Sequence, residues 1–285
     1  MAITYRAGNR LTGLSDNLLR DCKAHYNFEQ TSGSLTNQVS SANSPAGLGS
    51  AANGTANGSL TQNATGHIGT YAWDFDGTDD YVELGSSTSQ WNFFHAANYK
   101  WTINVWLDFD DVGDSKKIFA TAKQSSNIGV EWTAENANGN IRTYDTSQTS
   151  ANIGTGWFQT GWHMYTITGS AEGTLASWEA YRDGVLIDTA SDNSWGGTSS
   201  NASYSAKFGV HADVSTGQFF DGSGDNLSVW SRVLSADEIK TLYNNGNGQE
   251  SIIDIKPTNT PNGSTFTETD TGKEYILNYG AWIEK

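Results

Sequence analysis

Trp101-Thr-Ile-Asn-Val-Trp-Leu107 places a large apolar residue at every second position. Successive side chains of a strand point to opposite faces, so Trp101, Ile103, Val105 and Leu107 share one face. Thr102, Asn104 and Trp106 take the other. Shorter runs of this kind recur at residues 25–28, 81–84, 117–120, 129–133, 162–168, 177–182, 185–189, 207–211 and 227–230, with turn residues between them. Many short strands at that spacing predict an all-β sandwich or jelly roll rather than alternating α/β units. Composition agrees: 12% of residues are aromatic, 11 residues are Trp, and only 3 are Pro. Residues that fit a pleated, half-buried surface are thus abundant.

The 285 residues suit one large β domain with a small appendage and suffice to bury a core without disulfides. The lone cysteine, Cys22, reads as a small buried apolar residue. Formal charge is −15, yet only 16% of residues are charged, so the surface is largely Ser, Thr, Asn, Gln and Gly. Such a surface argues against nucleic acid, which needs clustered Lys and Arg, and favours divalent cations and hydroxyl-rich partners. No apolar run is long enough for membrane insertion, and the first residues carry no classical signal peptide.

Ser235 through Asn244 predicts one short helix (235–244). Ser235 and Glu238 form a capping box, Leu234 and Ile239 a hydrophobic staple, and Asn245-Gly246 a stop. Ile239, Leu242 and Tyr243 give its apolar stripe. Residues 43–69, rich in Gly, Ala, Ser and Asn, read as a long surface loop. Beyond the break at 256–263, the tail reads as two or three short strands with turns at 270–272 and 278–280. The organisation predicted is residues 1–21 as an N-terminal segment, 22–248 as the main domain and 249–285 as a C-terminal β tail.

Trp73-Asp-Phe-Asp-Gly-Thr-Asp-Asp-Tyr-Val-Glu-Leu84 holds five carboxylates in twelve residues. As a turn, Trp73 and Phe75 point into the core, Asp76-Gly77 opens the hairpin, and the strand returns through Tyr81, Val82 and Leu84. That accounts for Asp76, Gly77 and Asp79 without any ion. As a metal site, the surplus carboxylates would serve calcium, which takes six to eight oxygens. A catalytic reading needs two acids about 5 Å apart across a sugar. No strand offers Glu-x-Asp-x-Glu or Glu-x-Asp-x-x-Glu, and the Glu131/Glu135 and Glu179/Asp183 pairs run into turns. The chain therefore reads as a non-enzyme.

Trp101, Trp162 and Trp230 fall in strand patterns and read as core or near-core residues. Trp91, Trp157 and Trp195 lie in polar, Gly-rich stretches that read as loops, where exposed rings stack on sugars while Asn and Asp bind hydroxyls. The alternative is that these rings fold back over a sheet edge. Trp195, in Asp192-Asn-Ser-Trp-Gly-Gly, is the leading carbohydrate candidate, with Asn193 beside it.

Seven segments taken in order resemble the laminin-G-like, concanavalin-A-like lectin and glucanase domains over about residues 22–246. They are Ala24-His-Tyr-Asn-Phe-Glu-Gln, the acidic stretch, Lys100-Trp-Thr-Ile-Asn-Val-Trp-Leu, Thr160-Gly-Trp-His-Met-Tyr, Tyr181-Arg-Asp-Gly-Val-Leu-Ile, Phe220-Asp-Gly-Ser-Gly-Asp-Asn-Leu and the helix. The resemblance implies a jelly-roll sandwich of two antiparallel sheets, often with structural calcium and often binding glycans. It implies that Asp76, Asp79 or Asp80 converges with Asp221 or Asp225. One departure weakens that ligand set: Asp225-Asn226 stands where the family usually has Asp-Glu.

The two ends, Met1 to Leu14 and Phe266 to Glu284, are similar to segments of virion proteins of archaeal and bacterial viruses. That similarity implies an outward-facing, oligomeric virion surface or structural protein, with its ends as anchors. Its partners would be a host surface glycan or receptor, other virion proteins or copies of itself. A free glycan-binding module and, further off, a polysaccharide-cleaving enzyme are the alternatives.

Overall fold

Most of the period-two runs form strands in the computed structural model, although residues 27–28 and 209–211 lie beyond theirs. The structure describes residues 4–6, 18–42, 44–123, 127–145, 147–214, 218–249, 252, 263–267, 274–278 and 281–285. The strands begin with β1 (Thr4–Arg6), β2 (Cys22–Tyr26), β3 (Gly54–Asn57), β4 (Thr61–Thr65), β5 (Tyr71–Asp76) and β6 (Tyr81–Leu84). Next are β7 (Lys100–Phe109), β8 (Lys116–Ala120), β9 (Ile128–Glu135), β10 (Asn138–Asp145) and β11 (Gln148–Ile153). Then come β12 (Gly161–Glu172), β13 (Leu175–Arg182), β14 (Val185–Asp192), β15 (Ala206–Phe208) and β16 (Asp221–Trp230). The chain ends with helix α1 (Ala236–Tyr243) and strands β17 (Thr265–Thr267), β18 (Glu274–Asn278) and β19 (Ala281–Glu284).

Two antiparallel sheets make the jelly-roll sandwich. The seven-stranded sheet runs β11-β10-β9-β8-β15-β6-β3, and the eight-stranded sheet runs β14-β13-β12-β7-β16-β5-β4, with β2 also on β16. The inner faces meet in a core rich in rings. Trp101, Ile103, Val105 and Leu107 of β7 all lie in it, as the alternation requires. Phe28 meets Trp73 edge-to-face at 5.6 Å, and Phe75 meets Phe208 the same way at 5.3 Å. Such pairs add about 1 kcal/mol each beyond the area they bury.

The other face of β7 is covered in part. Trp106, Met164 and Trp230 form a second apolar cluster with Leu234, Ile239 and Leu242 of the α1 region. Helix α1 begins as its sequence dictates: the Ser235 hydroxyl accepts from the Glu238 N–H, and the Glu238 carboxylate accepts from the Ser235 N–H. Arg232 grips the buried Glu238 carboxylate with both terminal nitrogens, one at 2.8 Å. The Arg232 and Ser235 contacts hold that carboxyl below its ordinary pKa against the opposing effect of burial. Asn244 closes the helix with left-handed backbone, φ 47°.

Residues 43–69 are not one long loop. They supply β3 and β4, the edge strands of the two sheets. Small residues suit close approaches at these edges. A Cβ on Gly54 would sit 2.6 Å from a Val82 methyl. The tail forms its strands: β17, β18 and β19 join in an antiparallel ladder, and β1 adds to β17 in parallel. Residues 1–3, 7–17, 253–262, 268–273 and 279–280, which hold most of the segments read as anchors and turns, lie outside the described residues. Among the described residues no helix is long and apolar enough to cross a membrane.

Arg232→Ala strips the partner from a buried carboxylate, and we expect it to cost about 3 kcal/mol in urea unfolding. The exposed Arg20→Ala change should stay within about 0.5 kcal/mol. Equal effects would contradict the buried-pair account.

Candidate functional site

Strand β5 ends at Asp76, and the chain must reverse into β6 within four residues. The Asp76 Oδ1 makes this possible by accepting the N–H groups of Thr78 at 2.8 Å and Asp79 at 3.3 Å. Gly77 takes φ +69°, and a Cβ there would lie 2.9 Å from the Asp221 side chain. The turn is not the hairpin that the sequence suggests: β5 lies in the eight-stranded sheet and β6 in the seven-stranded one, so it connects the two sheets. Asp80 is buried and braces this connection, accepting from the Asp76 N–H at 3.1 Å and the Ser59 N–H at 2.6 Å. Burial pushes the Asp80 carboxyl up in pKa, and the neighbouring Asp76 and Asp79 charges push it further.

Ligand atoms of Asp76, Asp79 and Asp80 lie within 4.8 Å of one another. Among the described residues no Lys, Arg or His pairs with any of the three. Asp221 borders the group, opposite Asp76 in the β5–β16 ladder, and has Lys116 at 3.8 Å. The oxygens left unspent are one of Asp76 and both of Asp79, which are exposed. These carboxylates, with backbone carbonyls and water, have the hard-oxygen chemistry that calcium takes.

Asp225 does not join them. It lies four residues beyond Asp221 along β16, roughly 13 Å away, and opposite Trp106. Its oxygens accept from the Ile68 N–H at 3.0 Å and from Asn226 Nδ2 at 2.9 Å, where it anchors the turn before β5. Burial pushes its carboxyl pKa up to about 7. It sits at a bulge in β16, where Asn226 takes φ 48°.

Trp91, Trp157 and Trp195 are buried, so the reading of them as exposed sugar platforms is corrected. Their rings turn inward and join the main core cluster, the alternative that the sequence left open. The Trp157 indole N–H donates to the Tyr181 carbonyl at 3.0 Å and its ring stacks on Trp132; the Trp195 N–H donates to the Ala97 carbonyl at 3.2 Å and its ring meets Tyr99. Trp91 donates to Leu84 and packs on Phe94 and Phe119. A polar loop sequence reports how its backbone is solvated, not where its one large ring goes. Asn193 is exposed, but its neighbouring ring is not.

Trp162, read as core or near-core, packs against the edge of the second apolar cluster. Nine of the ten tryptophans whose burial is described are buried, and Trp162 is only half-buried. Its parity was the available signal: it shares a strand face with Met164, Thr166 and Thr168, opposite the core residues Tyr165 and Ile167.

Glu131, at the centre of β9, is wholly buried and fully engaged. Lys117, Arg142 at 3.2 Å and the Tyr144 hydroxyl at 3.3 Å all bind its carboxylate. His211 lies 3.9 Å away, its pKa lowered chiefly by burial. Glu135 is exposed at the turn beyond. The Glu131 carboxylate thus holds the outer side of the seven-stranded sheet together.

Residues 76–240 match the family model Laminin_G_3, described as the concanavalin A-like lectin/glucanases superfamily. The chain belongs to this family. No curated protein sequence matches it significantly. Among solved structures it is similar to the binding domain of botulinum neurotoxin serotype D/C, with a TM-score of 0.55 and 13% identity over 79% of this chain and 52% of that one. Two further matches, each with a TM-score of 0.54, are the botulinum neurotoxin DC binding domain in complex with SialylT and with rat synaptotagmin II, at 13% and 14% identity. Each covers 79% of this chain and 51% of the matched one. The chain therefore spans about half the length of these structures, and at such identity the likeness is one of fold.

Asp225 provides a pH test. A carboxyl raised from about 4 in the unfolded chain to about 7 in the folded one binds a proton more tightly when folded. Its contribution to stability is complete below about pH 4 and lost as pH rises through 7. Asp225→Asn should remove a slope of up to about 1.4 kcal/mol per pH unit across that window in urea unfolding. Parallel curves for the two proteins would contradict this.

Proposed function

We propose that this chain is a non-enzymatic binding module whose lectin-like jelly roll meets a glycan or a receptor. The observation that carries the reading is the family sandwich combined with a connection between its sheets where the exposed Asp76 and Asp79 carboxylates have no Lys, Arg or His partner among the described residues. The match to binding domains, including one in complex with SialylT and one with rat synaptotagmin II, supports it. So does Glu131, whose carboxylate is engaged by three neighbours and is closed to a substrate.

Calcium is part of the proposal. Asp76, Asp79 and Asp80 would hold it, with Asp221 alongside. Bound there, the ion would neutralise a repulsive cluster and stiffen the connection between the two sheets. Asp80 already spends its oxygens on backbone N–H groups, so Asp76 and Asp79 would be the main ligands.

We further propose that the module is displayed on a virion surface, anchored or oligomerised through its ends. The pairing of β1 with β17 supports this, since it gathers both termini into one small sheet.

A glycan array probed with the full chain, in calcium and in EDTA, tests the binding reading. We expect bound glycans in calcium and weaker signals in EDTA. Silence in both would contradict glycan recognition, and equal signals would contradict the ion's role. Removing residues 1–20 and 256–285 should abolish self-assembly measured by light scattering, and unchanged assembly would contradict anchoring by the ends.

A further inference from the structure

On the outer face of the eight-stranded sheet the α1 cluster lies over Trp106, Met164 and Trp230. One register row crosses the sheet beside this cluster, starting at Trp162, which packs against the cluster's edge. Trp162 of β12 faces Asp108 of β7, Asp108 faces Ser223 of β16, Ser223 faces Asp74 of β5, and Asp74 faces Thr61 of β4. Directly opposed residues share a face, and five strands about 4.8 Å apart make the row roughly 19 Å long. The inner neighbours Phe75 and Phe109 lie in the core, which fixes this row as the outward one.

Trp162, Asp108, Ser223 and Asp74 are half-buried, and Thr61 is exposed. The Trp162 ring is held by His67, whose ring lies 5.6 Å from it and 4.3 Å from Trp106. His67 is fixed in turn by a 2.9 Å hydrogen bond between its Nε2 and the Gly246 carbonyl. The polar groups are oriented as well. The Ser223 hydroxyl donates to Asp74 Oδ1 at 2.9 Å, and the Gly161 N–H donates to Asp108 Oδ1 at 2.9 Å. One oxygen of each carboxylate is left unengaged among the described residues, with no Lys or Arg paired to either.

We propose that this row is a carbohydrate-binding platform for a neutral oligosaccharide lying across the strands. It deepens the glycan-binding reading and rests on it. A fixed, half-exposed indole offers a flat apolar surface to the C–H face of a pyranose. Two unengaged carboxylate oxygens are acceptors for ring hydroxyls, which are donors, and hydrogen bonds to charged acceptors are among the stronger ones. The length suits several sugar rings in a line. The charge selects: Asp74 and Asp108, with Asp76 and Asp221 next along the strands, repel uronates and sialates and accept neutral or amino sugars.

Calorimetric titration of the full chain with cellohexaose, mannohexaose, chitohexaose and an oligogalacturonate tests this. At least one of the first three should bind and the oligogalacturonate should not. Trp162→Ala and Asp108→Asn should each weaken binding about tenfold or more, and Trp162→Phe should retain part of it. Asp108→Asn changes little volume, so it tests the site even if Trp162→Ala unfolds. Unchanged affinity in Asp108→Asn and Trp162→Phe, or preference for the oligogalacturonate, would overturn the platform. So would failure of all three neutral sugars. If the array is positive while the platform variants bind its glycans normally, only the platform falls; if the array is silent, the wider reading falls too.

Discussion

The pairing of β7 with β12 on one side and β16 on the other is the constraint on which the rest of the molecule depends. A slip of one residue would exchange Trp101, Ile103, Val105 and Leu107 for Thr102, Asn104 and Trp106 at the core. Every feature of the outer face follows from that register. Under α1, Thr102 accepts the Leu234 N–H and donates to the Arg232 carbonyl, tying the helix to the sheet. The bulge in β16 between Asp225 and Ser228 divides the face. Before it β16 pairs with β5, and after it with β2.

The acids of this strongly negative chain separate by what their oxygens do. Asp80, Glu131, Asp225 and Glu238 are buried, and each has its carboxylate engaged by N–H groups, hydroxyls or cationic side chains. They are structural braces, and removing a partner from any of them leaves a costly buried group. Asp74, Asp76, Asp79 and Asp108 keep oxygens to spare and gather at one end of the eight-stranded sheet. Both the β5–β6 connection read for calcium and the row read for sugar lie there. Unspent acceptors concentrated on one region of a fold are what a binding surface requires.

Much of the fold was legible because it rests on local periodicity. The period-two runs gave strands, and Ser235 with Glu238 gave a helix whose cap forms as expected. The Asp76-Gly77 turn was equally plain, since Asx geometry and a left-handed glycine are local demands. What failed were inferences from local polarity to side-chain exposure. Trp91, Trp157 and Trp195 sit in hydrophilic loops, yet their rings join the core because each buries a large apolar area there. Residues 43–69 lack large apolar side chains and were read as loop, but edge strands need little bulk. Asp225 was grouped with Asp221 because the family resemblance implied that both converge on the turn, but four residues of extended strand hold it roughly 13 Å from Asp221.

Hydroxyl-radical footprinting with mass spectrometry tests the face assignment most directly, because it reads each tryptophan separately. The register places Trp162 at the surface and Trp91, Trp157 and Trp195 inside, so Trp162 should be oxidised much faster than those three in the native chain. Oxidation of Trp195 or Trp157 at a rate equal to that of Trp162 would contradict the account.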